Sequence, residues 1–142
     1  MERINFGKAS VLGAVTGMVA GLGTITPASG FVGPGGALII GISAGVVCYY
    51  ATGYLKKTLK IDDSLDVFPV HGVGGILGTL LTAVFASNGL GVFSGFSDIN
   101  ILDQLSIQLT GVVAAILYTG VMTWIILKVC DVALGKERLS VK

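Results

Sequence analysis

The chain has 142 residues, of which 53% are hydrophobic and only 12% charged, and its mean hydropathy is +0.88. The charged share is about half that usual in soluble domains, which argues for a chain folded in lipid and leaves no segment for a soluble domain. A net charge of +1 implies neither nucleic acid nor an acidic partner.

The charges are clustered. No Asp, Glu, Lys or Arg occurs over 9–55, 67–97 or 104–127. A spanning helix needs about 20 mostly apolar residues, so each run is long enough to cross a bilayer. Pro27 and Pro34 divide the first run in two. The expectation is an all-α membrane protein with four transmembrane helices, at 9–25, 37–54, 67–86 and 103–129, and a polar tail over 130–142. The apolar start runs into a second span instead of a small-residue cleavage site, so no secretory signal is expected in it.

With four spans, both termini and the middle loop fall on one side. Arg3, Lys8, Lys56, Lys57, Lys60, Lys128, Lys136, Arg138 and Lys142 are all the Lys and Arg residues, and all lie in those three segments or, for Lys128, at the adjoining end of the last span. The positive-inside rule makes that side cytoplasmic.

After the lead 1–8, the first span carries Gly13, Gly17 and Gly21, four apart. Such a stripe is expected to let another helix backbone approach closely. The turn 26–36 holds two prolines and a glycine cluster that stop a helix. It lacks the lysine-serine or lysine-threonine ending of a phosphate loop. In the second span Gly41 and Gly45 repeat the spacing, and Tyr49, Tyr50 and Tyr54 precede Lys56 and Lys57. Aromatics followed by lysines mark the headgroup level. Trp124 before Lys128 reads the same way at the end of the last span, which Asp103 is expected to open. The loop 87–102 is rich in Gly, Ser and Asn.

The third span holds the chemistry. Asp66 stands where a helix cap belongs, placed to accept from free backbone N–H groups and to meet the positive end of the helix dipole. Pro69 falls in the first turn, where a missing N–H breaks no bond. His71, the single histidine, lies five residues on, roughly 7–8 Å into the helix and within an apolar run. An ionisable residue inside a span is a functional candidate by default. A neutral imidazole offers one donor and one acceptor, suited to binding a small polar solute or relaying a proton. The alternative is a histidine satisfied by a neighbouring helix. Gly72, Gly74, Gly75 and Gly78 reduce bulk around it, either as space for a solute or for a helix crossing. A single histidine makes no zinc site, and Cys48 and Cys130, at expected helix ends, have no metal-ligand spacing. No nucleophile–base pair converges near His71, so the residues do not read as an enzyme, and no cofactor or metal is expected.

The run Asp62-Asp-Ser-Leu-Asp66-Val-Phe-Pro-Val-His71-Gly-Val-Gly-Gly75 resembles the ammonium transporter family, the Amt/Rh-type channels. So do Gly7-Lys-Ala-Ser-Val-Leu-Gly-Ala, Gly21-Leu-Gly-Thr-Ile-Thr-Pro-Ala-Ser-Gly30 and Gly35-Gly-Ala-Leu-Ile-Ile-Gly41. The likeness extends through nearly the whole chain, which looks like the last four of the family's eleven helices.

The resemblance implies an ammonium/ammonia channel in the plasma membrane. His71 matches the second of two histidines side by side in a narrow hydrophobic pore. Val67 and Val70 match apolar pore positions towards the cytoplasm, and Asp66 a structural acid at the helix start. It also implies a homotrimer with one pore per subunit, and a PII-type signal protein as a cytoplasmic partner. Pro69 departs from the glycine found in many members. The partner histidine and the external aromatic site belong to helices preceding this stretch, so the expectation is a fragment supplying one side of a pore. Two other readings are a four-helix protein that self-associates into a pore, with His71 paired across a symmetry axis, and a non-transporting membrane scaffold.

Overall fold

The structure is a computed structural model describing residues 7–8, 10–86 and 99–133. The described residues form helices and turns, with no strand among them. Four helices are long and apolar enough to cross a membrane, over Val11–Ala28, Pro34–Lys57, Phe68–Phe85 and Ile101–Ala133. The chain divides after Gln108 into two units, the first holding three of these helices and the start of the fourth.

Helix α1 (Val11–Ile25) begins at Ser10, whose hydroxyl accepts from the Gly13 N–H at 2.9 Å. It tightens into one 3₁₀ turn over Thr26–Ala28. The Thr26 hydroxyl donates back to the Leu22 carbonyl at 2.7 Å, so it needs no water at the helix end. Gly30 then takes a φ of +86°, a left-handed conformation that glycine adopts without Cβ strain.

Helix α2 (Pro34–Lys57) starts three residues before the expected Ala37. Pro34 does not interrupt a helix here; it opens one, because its fixed φ suits the first turn and its absent N–H would have had no partner there. At 24 residues, α2 is about 36 Å long, enough for a hydrocarbon layer of about 30 Å. Tyr49 and Tyr50 meet edge to face near its end, with ring centroids 5.6 Å apart.

After the segment 58–66 the chain enters a π-helical stretch, Phe68–Val73, that runs directly into α3 (Gly74–Phe85). In the first unit the three helices pack through residues spaced four apart, all but Ile40 small: Ala20, Thr24 and Ala28; Gly36, Ile40, Ala44 and Cys48; and Gly74, Gly78 and Thr82. Cys48 is thus a mid-helix core residue, not a helix end. A Cβ on Gly36 would lie 3.2 Å from Phe85 Cβ, so the start of α2 sits against the end of α3. The Thr79 and Thr82 hydroxyls donate to the Gly75 and Gly78 carbonyls of their own helix at 2.8 and 2.7 Å, which satisfies them without water.

Large apolar side chains point the other way. Val11, Leu12, Met18, Leu22, Leu38 and Ile42 are exposed, while the buried positions are mostly glycine, alanine and threonine, with Ile40, Leu55 and Val70 among the larger exceptions. Small-inside, large-outside packing is how helices associate when lipid solvates the outer face. Within this unit the glycine stripe expected in the first span does not carry the helix packing. Gly17 and Gly21 have nothing within 4 Å of a built Cβ, nor do Gly41 and Gly45. Close approach is made one face over, at Thr24.

Helix α4 (Ile101–Ala133) begins before Asp103 and extends beyond Val129. Asn100 starts it, its Oδ1 accepting from the Leu102 N–H at 3.1 Å. Asp103 instead lies in the first turn, favourable towards the helix dipole. Lys128 Nζ lies 5.9 Å from the Trp124 ring centroid, a cation–π pair within one helix face. The loop expected over 87–102 lies outside the described residues up to 98, as does the tail from 134.

Candidate functional site

Three neighbouring features place His71: the entry into its helix, the wide turn it sits in, and the helix behind it. The entry is capped by Asp63. Its Oδ1 accepts from the Val67 N–H at 2.9 Å and its Oδ2 from the Phe68 N–H at 2.8 Å. The N–H groups of Phe68 and Val67 hold the Asp63 carboxyl below the ordinary carboxylate range, with a smaller contribution from the Lys56 charge.

Asp66 therefore does not cap with its side chain, and that expectation is corrected. Its backbone does open the helix, its carbonyl accepting from the Val70 N–H at 3.0 Å. But a φ of +56° turns its carboxylate away from the free N–H groups. The carboxylate reaches Lys56 at the end of α2 instead, with Nζ–Oδ1 at 2.7 Å. That oxygen is sealed from solvent and has no hydrogen bond of good geometry, so the Lys56 ammonium is the charge that balances it. The pair ties the end of α2 to the start of the His71 helix.

The turn carrying His71 is π-helical rather than α-helical, with the Gly74 N–H donating to the His71 carbonyl at its end. Pro69, which has no N–H to give, lies at the start of this turn and is buried. Single wide turns of this kind occur often at functional sites. Gly72 makes room for the Phe68 ring, whose Cδ2 would come within 3.1 Å of a Cβ there.

His71 is exposed, not packed between the helices of this unit. A Cβ built on Gly23 of α1 would stand 3.7 Å from its Nδ1 and 3.8 Å from the Val70 carbonyl oxygen. Val67, four residues earlier, is 51% exposed. Val70 points the other way: it is 3% exposed and packs with Ala20 and Cys48 in the core. The structure thus brings His71 and Val67 to open surface, and places Val70 behind them as the packing that supports the turn.

Two glycines fix the helix from below. A Cβ on Gly74 would lie 2.7 Å from Thr24 Oγ1 and 3.3 Å from Cys48 Sγ, and one on Gly78 would overlap the Thr24 carbonyl oxygen. The glycines after His71 split accordingly. Gly74 and Gly78 serve a helix crossing, while Gly75 faces open space. Nothing in the residues alone marks Lys56, Thr24 or Gly23 as site-forming. For Asp63 the one local signal is its place before the helix whose first turn holds Pro69.

The profile of the Ammonium Transporter Family matches residues 1–142. A putative ammonium transporter of Methanothermobacter thermautotrophicus is 44% identical over 133 residues, covering 89% of this chain and 31% of the relative. An ammonium transporter of Aquifex aeolicus is 43% identical over 134 residues, 94% of this chain and 31% of the relative. One of Bacillus subtilis is 38% identical over 133 residues, 89% and 32% respectively. The chain spans about a third of the length of these relatives. It therefore belongs to the ammonium transporter family, a family of transporters and not of enzymes.

Proposed function

We propose that this chain forms one side of an ammonium/ammonia-conducting pore, with His71 and Val67 on the solute path. The observation that carries the reading is the placement of His71. A polar, ionisable ring stands exposed on a unit whose other exposed side chains in the spans are mostly apolar, and it is held there by a capped entry, a wide turn and a glycine crossing. A ring so exposed would face hydrocarbon unless another element stood opposite, and an ionisable group facing lipid is costly. The matched relatives are about three times as long, and the element opposite His71 belongs to the part of the transporter that this chain does not span. In this reading the chain corresponds to the last four of eleven helices and the missing wall brings a second histidine.

The substrate is ammonium, recruited on one side and carried past the imidazole as ammonia. The clustering of the nine Lys and Arg residues in or beside the two ends and the middle loop supports a cytoplasmic side for those segments, with the transporter in the plasma membrane. The complete protein is a homotrimer, and the cytoplasmic face is the docking surface for a PII-type signal protein.

The test is uptake into proteoliposomes by the complete transporter carrying this segment. Ammonium uptake falls sharply on His71→Ala at unchanged protein level, and this segment reconstituted alone gives no selective uptake. Wild-type transport by His71→Ala overturns the reading.

A further inference from the structure

A large apolar side chain in a span is free to point into lipid. The ring of Phe68 instead lies back along its own turn, against the backbone of residue 72. The three atoms nearest to a Cβ built on Gly72 are Cδ2, Cε2 and Cγ of this ring, at 3.1, 3.3 and 3.6 Å. Glycine is the poorest helix former after proline, so one inside a helix asks for a reason. At Gly74 and Gly78 the reason is the crossing with Thr24; at Gly72 it is the Phe68 ring. The backbone beneath the ring is fixed as well, because the Phe68 N–H donates to Asp63 Oδ2 at 2.8 Å.

Residues four apart on a helix are neighbours on its surface. Val67 therefore stands next to His71, and Phe68 next to residue 72. The ring takes the place that a side chain at 72 would take, beside His71 on the same turn. Val67, Phe68 and His71 are all exposed, Phe68 at 57%.

We infer that Phe68, seated on Gly72, is a specificity-determining residue of this site. Its ring closes the flank of the imidazole on the Asp66 side and makes that stretch of the path passable to an uncharged solute and not to a cation. An ion enters an apolar stretch only by giving up its water, which costs far more than the same step for a neutral molecule. Ammonia meets the smaller barrier. A metal cation meets the larger one, and has no proton to shed.

The inference rests on the transport reading of His71 and is tested separately from it. Ammonium and K⁺ uptake are measured in proteoliposomes of the complete transporter, for wild type, Phe68→Ala, Phe68→Leu and the double variant Phe68→Ala with Gly72→Leu. His71→Ala is the control for the transport reading. Wild type and Phe68→Leu are expected to take up ammonium and exclude K⁺. Phe68→Ala is expected to keep ammonium uptake and to admit K⁺ above the level of protein-free liposomes. The double variant supplies the apolar volume from position 72 and is expected to exclude K⁺ again, a rescue that a merely structural role for Phe68 does not predict. Exclusion of K⁺ by Phe68→Ala, with His71→Ala impaired, overturns the inference and leaves the transport reading in place. A double variant that leaks as Phe68→Ala does also overturns it. So does loss of folded protein in Phe68→Ala, because position 68 would then be a packing position. If His71→Ala transports like wild type, the transport reading fails and this inference with it.

Discussion

The carbonyl oxygen of Thr24 occupies the place where a side chain at Gly78 would begin. Thr24 is fully buried, and Gly78 lies seven residues beyond His71 on one continuous helical stretch. The crossing of α1 and α3 at this point therefore sets where the imidazole stands. Any side chain at position 78 must push the two helices apart.

Gly78→Ala is expected to destabilise the protein by about 1–3 kcal/mol, the usual cost of overpacking. Gly53→Ala, where a Cβ meets nothing, is expected to be neutral or slightly favourable because alanine is the better helix former. Thermal unfolding in detergent distinguishes them. Equal melting points would show that the crossing at Thr24 is looser than the geometry here.

The Asp63 cap predicts an acid-sensitive helix entry. The Phe68 and Val67 N–H groups hold the carboxyl below its ordinary value in the folded protein, so the ionised form contributes stability that is fully present above the unfolded value of about 3.9. That contribution is lost as pH falls through the lower folded value. Asp63→Asn keeps an oxygen for the cap but does not titrate. Melting curves from neutral pH down to the carboxylate range should fall more steeply for wild type than for Asp63→Asn. Parallel curves would show that Asp63 is not the titrating group.

Asp66 combines a charge pair with a left-handed backbone, and two substitutions separate them. Asp66→Asn keeps a residue that tolerates positive φ and removes the pair with Lys56. Asp66→Val removes both and adds backbone strain of about 1–2 kcal/mol. Asp66→Asn should therefore be the milder change. Lys56→Met leaves the part-buried carboxylate without its partner, and adding Asp66→Asn to it should recover part of the loss. A double variant no better than Lys56→Met would contradict the ion pair as drawn.

Much of this architecture is legible in the residues. The charge-free runs mark four helices because lipid excludes charge, and Pro34 and Pro69 stand at or near the two helix starts they allow. The choice of packing face is not legible. Gly17-x-x-x-Gly21 carries the textual pattern of a close crossing, yet the crossing uses Thr24 against Gly74 and Gly78, a pairing between helices that spacing within one helix does not encode. The capping residue is not legible either: Asp66 stands at the expected cap position, yet Asp63 accepts from the Val67 and Phe68 N–H groups and the Asp66 carboxylate pairs with Lys56. Val70, adjacent in sequence to His71, matches a pore position by resemblance, and in this unit it is buried with Ala20 and Cys48. His71 itself stands out in the sequence because a lone histidine in an apolar span has few bland explanations.

That His71 lines the solute path is tested most directly by one comparison: initial ammonium uptake into proteoliposomes by the complete transporter, wild type against His71→Ala, at equal reconstituted protein and equal thermal stability. The exposed imidazole predicts that uptake collapses while the fold survives, because the side chain supports no packing in the core. Uptake at the wild-type rate by a stable His71→Ala protein would contradict it.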